Sequence, residues 1–118
     1  MRHGVRRNNL GSGKDYRKTL FNSLYNSLIT HRKVCTYTAR LKAVKSKIEK
    51  LITTAKSDKS LLHKYRTLAR AGLNREDSKI LITEIAPKYK DRPGGYTSLI
   101  HAGFNGAQNP IAILSLMP

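Results

Sequence analysis

The sequence predicts a two-layer α+β domain of about four helices packed on a small three-stranded sheet, with an extended basic N-terminal arm. Three observations predict it. Apolar residues recur at helical spacing in four successive stretches between residues 15 and 87. β-prone runs lie at 34–37, 96–100 and 111–116. Residues 1–14 show no apolar periodicity and are polar, Gly-containing and basic. Two regions follow, a basic arm over 1–14 and a single α+β domain over 15–118.

The arm carries Arg2, His3, Arg6, Arg7 and Lys14. A merely frayed terminus needs no such charge, so we read these residues as RNA contacts that order on binding. No apolar segment follows the first basic residues, which argues against a secretory signal. The Arg-rich, acid-poor start has something of an organellar transit peptide, but Gly11-Ser12-Gly13 breaks any amphipathic helix there. It reads as a mature arm. Gly11-Ser12-Gly13-Lys14 also lacks the glycine spacing and preceding strand of a phosphate-binding loop.

The first helix is predicted over 15–30. Tyr16, Leu20, Phe21, Leu24 and Leu28 form its apolar stripe, Arg17 and Lys18 lie opposite, and Asp15 suits its positive end. A short strand, Val34 to Tyr37, follows, with Cys35 expected as a small core residue. Thr38 is a plausible N-cap for the second helix. That helix has Leu41, Val44, Ile48, Leu51, Ile52 and Ala55 on one stripe. From Arg32 to Lys50 there are seven Lys or Arg and one acid, Glu49. Solvated helices usually mix signs to gain i,i+4 pairs; a one-signed face suits a phosphate backbone.

Ser57 or Asp58 is expected to cap a third helix whose apolar face is Leu61, Leu62, Tyr65, Leu68 and Ala69. Lys59, Lys64, Arg66 and Arg70 form its basic face. Gly72 ends it. Asn74 caps a fourth helix with Glu76 and Asp77 in the first turn, and Pro87 is expected to close it. Residues 88–95 read as a basic loop. The last two strands, 96–100 and 111–116, flank a connection over 102–109 too long for a tight turn. No Lys, Arg, Asp or Glu occurs after Arg92, so the C-terminal part reads as scaffold.

The function classes narrow quickly. With 23 Lys plus Arg against 7 Asp plus Glu, the formal charge is +16. Self-repulsion of that size opposes compaction unless a polyanion neutralises it, and phosphate contacts also release condensed counterions. No stretch approaches the roughly 18 apolar residues of a spanning helix, so no membrane partner is expected. The acids are scattered and form no acid–base pair. His3, His31, His63, His101 and Cys35 sit at no ligand spacing, so neither metal nor cofactor is expected, nor a small-molecule substrate. One cysteine excludes an internal disulfide. The chain reads as a non-enzyme that meets a large folded RNA through phosphates and shape.

Arg92-Pro93-Gly94-Gly95-Tyr96 is the most marked local feature. Paired glycines permit a sharp turn or a close approach by another chain. Tyr96 suits either a stack on a base or ribose or a place in the core; both stay open.

Along almost its whole length the sequence resembles the bacterial-type family of the seventeenth large-subunit ribosomal protein. The resemblance rests on Met1-Arg2-His3, on Leu24 through His31, and on Thr36, Lys42, Glu49, Leu51-Ile52 and Ala55-Lys56. Above all it rests on Ile85-Ala86-Pro87-Lys88-Tyr89 followed by Arg92-Pro93-Gly94-Gly95-Tyr96-Thr97, with Asn109-Pro110 near the end. The chain departs from the family at Tyr16, Ser98, Asn105, Gln108 and Ser115, where relatives usually carry a His or charged residues. The resemblance implies a structural constituent of the large ribosomal subunit. It would bind large-subunit rRNA near the polypeptide exit tunnel, support assembly and translation, and touch neighbouring large-subunit proteins. Either a bacterial cytoplasm or an organelle matrix would house it. The RNA-binding residues expected are Arg2, His3, Arg6, Arg7, Lys14, Arg17, Lys18, Lys33, Arg40, Lys42, Lys45, Arg92, Gly94, Gly95 and Tyr96. Two rivals are a free chromosome-organising binder, against which the Arg-Pro-Gly-Gly-Tyr-Thr run argues, and an RNA nuclease, which lacks the clustered carboxylates a metal would need.

Overall fold

A computed structural model describes residues 13–118. The order is α1 (Lys14–His31), β1 (Lys33–Tyr37), α2 (Thr38–Lys56), α3 (Leu61–Ala71), α4 (Arg75–Ile80), β2 (Thr97–Phe104) and β3 (Pro110–Leu116). The strands form one antiparallel sheet in the order β1-β3-β2. The expected α+β architecture is what the chain adopts.

α1 opens at Lys14, so this residue belongs to the helix rather than to the segment before it. Asp15 sits in its first turn, where a carboxylate complements the helix dipole. Arg32 ends the helix in the left-handed region at φ 65, and its N–H donates to Leu28 O at 2.8 Å. The Arg32 carbonyl then accepts from Leu116 N at 3.0 Å, which ties the end of α1 to the last strand. Its guanidinium pairs with Glu84 at 3.0 Å.

α2 is the core of the molecule. Every residue of its expected stripe is buried: Leu41, Val44, Ile48, Leu51, Ile52 and Ala55. They pack with Leu24, Leu28 and Ile29 of α1 and with Ala112 and Leu114 of β3. Tyr37, not Thr38, occupies the N-cap position; Thr38 is the first helical residue, and its hydroxyl is buried without a partner. The strand running straight into α2 leaves Thr38 already helical, so its side chain cannot reach back as a cap.

Strand register sorts the sheet faces. Val34, Leu114 and Leu99 share one level and Thr36, Ala112 and His101 the next; Leu114 and Ala112 are fully buried on the helix side. Cys35, Ile113 and Ile100 pair on the other face. Cys35 is therefore exposed, not a core residue, because alternation along β1 turns it away from the helices. β2 continues to Phe104 past a bulge between His101 and Gly103. The connection is thus shorter than expected, running over 105–109. It is held by the Asn105 carboxamide oxygen, which accepts from Ala107 N at 2.9 Å and Asn109 N at 3.0 Å.

α3 and α4 depart most from expectation. Ser60, not Ser57 or Asp58, caps α3 by accepting from His63 N. Of the expected apolar face only Leu68 is buried, while Leu61 and Leu62 are 58% and 60% exposed. Periodicity marks a face but not what covers it. Gly72 (φ 107) terminates α3, and Asn74 caps α4 by accepting from Asp77 N at 2.8 Å. Pro87 does not stop the helical path. Leu81–Ile85 widens into a π turn, and Ala86–Tyr89 then tightens into a 3-10 turn with Pro87 at its start, where a missing N–H costs nothing.

Candidate nucleic-acid interface

A strongly charged concavity lies where α1, α2 and the end of α3 meet. It is a groove of about 870 Å³. α1 contributes Lys14, Asp15, Arg17, Lys18, Phe21, Asn22 and Tyr25; α2 contributes Lys47, Lys50 and Leu51; α3 contributes Arg70 and Ala71. Six cations and one carboxylate thus line a single groove. The Lys47 ammonium stands 5.1 Å over the Phe21 ring, which fixes its position and leaves the charge facing the groove. Tyr25 forms part of the wall, and burial pushes its hydroxyl up from 10.0 to about 12. It stays a neutral donor at any pH the groove meets.

The local reasons for this geometry are simple. Lys14, Lys18 and Phe21 recur at i, i+4 and i+7 and so share a face of α1. Lys47 and Lys50 stand three residues apart on α2. Gly72 lets α3 end hard against α1, since it has no Cβ to strike Asn22.

The other expected RNA contacts are distributed differently. Lys42 and Lys45 share an α2 flank with Glu49, away from Lys47. Glu49 is engaged there with β2, accepting from Thr97 Oγ1 at 2.8 Å and Thr97 N at 3.4 Å. Lys33 is exposed on the outer face of β1. Arg40 folds over the Tyr37 ring at 5.0 Å. Arg2, His3, Arg6 and Arg7 lie outside the described residues. Lys47, Lys50 and Arg70 belong to the basic helix faces expected from the sequence but are not among the individual contacts it singles out. Their one-signed faces were visible, but not that α2 and α3 turn them toward α1.

The turn after the 3-10 segment forms a second feature. Arg92 N donates to Tyr89 O at 3.0 Å, and the Arg92 guanidinium reaches Gly95 O at 3.3 Å. Gly95 takes φ 66, in the left-handed region that favours glycine. Tyr96 is 1% exposed and packs at 5.2 Å and 49° against the buried Tyr89. It takes the core alternative and has no face free to stack on a base. Burial would raise its hydroxyl, but the adjacent Lys56 and Thr53 outweigh this and bring it below the usual 10.0.

Among the described residues no group of three or more His, Cys, Asp and Glu could hold a metal ion, and no helix is long and apolar enough to cross a membrane. What the groove offers is cation presentation.

The family model of ribosomal protein L17 matches residues 20–117. The chain belongs to the ribosomal protein L17 family. It is 35% identical over 125 residues to the large ribosomal subunit protein bL17 of Petrotoga mobilis, an alignment covering 100% of this chain and 98% of that one. It is 45% identical over 95 residues to the bL17 of Carboxydothermus hydrogenoformans, covering 80% and 82%. Against the bL17 of Amoebophilus asiaticus it is 40% identical over 103 residues, and the match covers 87% of this chain but 52% of the relative. As a member of the L17 family the chain is a ribosomal protein, a structural component of the large subunit rather than an enzyme. The L17 match contains Lys47, Lys50, Arg70 and the Arg92–Tyr96 turn. Lys14, Arg17 and Lys18 precede it but fall within the full-length alignment to the Petrotoga relative.

Proposed function

We propose that this L17-family chain is seated on large-subunit rRNA near the polypeptide exit tunnel, where it stabilises RNA folding and supports subunit assembly and translation. The observation that carries RNA binding is the groove: three helices place six cations and one acid around a single concavity. A phosphate backbone entering it gains contacts from opposite walls at once. The location near the tunnel rests on the family resemblance. Lys33, Arg40, Lys42, Lys45 and Arg92, together with Arg2, His3, Arg6 and Arg7, are further phosphate contacts in this reading. Neighbouring large-subunit proteins suit the exposed apolar face at Leu61 and Leu62 better than phosphate does.

The test is salt-washed sucrose-gradient sedimentation from the native host. The wild-type chain stays with the large subunit after a wash that strips loosely held basic proteins, and a K47E/K50E/R70E variant does not. Early release of the wild type with a steep salt dependence would instead mark a free, non-specific binder. Reversing Arg6 and Arg7 to Glu tests the arm separately from the groove that Arg17 lines; normal co-sedimentation of that variant removes the arm from the mechanism.

A further inference from the structure

We infer that Lys56 is a positioning residue that holds the Arg92–Tyr96 turn for RNA and makes no phosphate contact of its own. The inference rests on the reading of the chain as an rRNA binder and goes beyond it.

Lys56 is the last residue of α2 and is part-buried. Its ammonium donates to Tyr89 O at 3.2 Å and to Arg92 O, and it stands 4.8 Å over the Tyr96 ring. These three partners are the last residue of the 3-10 segment, the residue that opens the turn and the residue that ends it. One cation therefore fastens both ends of the turn to the helix. Its charge is directed at carbonyl dipoles and a ring face, and two of its three donors are already engaged.

What the turn presents is Gly94. The fold gives no reason for glycine there. Its φ is not left-handed, and an added Cβ would meet nothing within 4 Å. Gly95 differs, because its left-handed φ of 66 by itself favours glycine. A side-chain-free position facing open space leaves room for something outside the chain to approach the backbone. Gly94 and Tyr96 border a recess with Ser46, Glu49, Lys50, Thr53 and Thr54 of α2, where the Glu49 carboxylate is held by Thr97. Lys50 lines both this recess and the cationic groove. A sugar–phosphate strand in the groove can thus continue past Lys50 and across Thr53 and Thr54, whose hydroxyls donate to the α2 carbonyls of Glu49 at 3.0 Å and Lys50 at 3.1 Å, to the bare backbone at Gly94. Lys56 sits behind that path and sets where it ends.

The test uses the full chain and a large-subunit rRNA transcript. Reductive methylation of the wild type comes first. Lys47 and Lys50 react in the free protein and are protected by rRNA, whereas Lys56 resists in both states. A Lys56 that reacts freely and is shielded only by rRNA overturns the inference. Next, G94A keeps wild-type stability in urea yet binds rRNA about tenfold more weakly. K56M weakens binding to a similar extent, and the K56M/G94A double is no weaker than the worse single variant. Additive losses, or wild-type affinity in a folded K56M, also overturn it. If K56M does not fold, the methylation pattern decides alone. If the wild type fails to bind rRNA and K47E/K50E changes nothing, the RNA-binding reading itself has failed.

Discussion

A Cβ placed on Gly72 would lie 1.9 Å from the carboxamide oxygen of Asn22. This contact sets how closely α3 ends against α1, and Asn22 and Ala71 both line the cationic groove. G72A faces two penalties. The Asn22 side chain can swing away, but φ 107 remains strained for any L side chain. The expected loss is about 1–3 kcal/mol by urea unfolding. In a N22A/G72A double most of that loss should persist; full recovery would assign the cost to the clash instead.

Charge reversal in the groove should read out as salt dependence. Each phosphate contact removed lowers the slope of log affinity against log salt by roughly 0.7–0.9. The K47E/K50E/R70E variant should therefore flatten the slope by about 2–3 for a large-subunit rRNA transcript, with unfolding midpoints close to wild type. An unchanged slope would place the RNA elsewhere on the surface.

Tyr25 makes stability sensitive to alkali. Burial raises its hydroxyl from 10.0 to about 12. The folded group ionises later than the unfolded one, so its contribution is fully present below about pH 10 and is lost as pH rises toward 12. Y25F should show a flatter stability profile across that window, measured by urea unfolding at stepped pH. Parallel profiles for the two proteins would contradict the assignment.

Glu49 is an acid placed inside a basic helix for a structural reason. It accepts both donors of Thr97 and so anchors the start of β2 to α2. E49A should cost about 1–2 kcal/mol, the range for hydrogen bonds to a charged group reduced for partial exposure. E49Q keeps an acceptor and should cost less. Equal losses in the two variants would point to packing rather than hydrogen bonding.

Much of this was legible in the sequence. The stripe of α2 named its buried residues, and Gly72 and Asn74 marked their boundary through backbone chemistry that is local. The long-range features were hidden. Leu61 and Leu62 repeat like core residues, yet nothing in the described chain covers them, because spacing records a face and not its neighbour. Pro87 reads as a stop, but a π turn upstream shifts the phase so that it opens a 3-10 turn. Charge alone marks Lys14, Arg17 and Lys18 as contacts. Their partners Lys47, Lys50 and Arg70 lie some thirty or more residues on in the chain, and only the tertiary path unites the two sets. Tyr96 had two equal readings until its burial beside Tyr89 decided between them.

The exposed leucines of α3 have a colloidal consequence. At +16, free copies repel one another and their apolar faces stay apart. Polyanion added below stoichiometry cancels that repulsion without covering Leu61 and Leu62, so droplets or precipitate form. Excess polyanion recharges the particles and disperses them. Light scattering along an RNA titration therefore rises and then falls, and an L61E/L62E chain stays clear throughout.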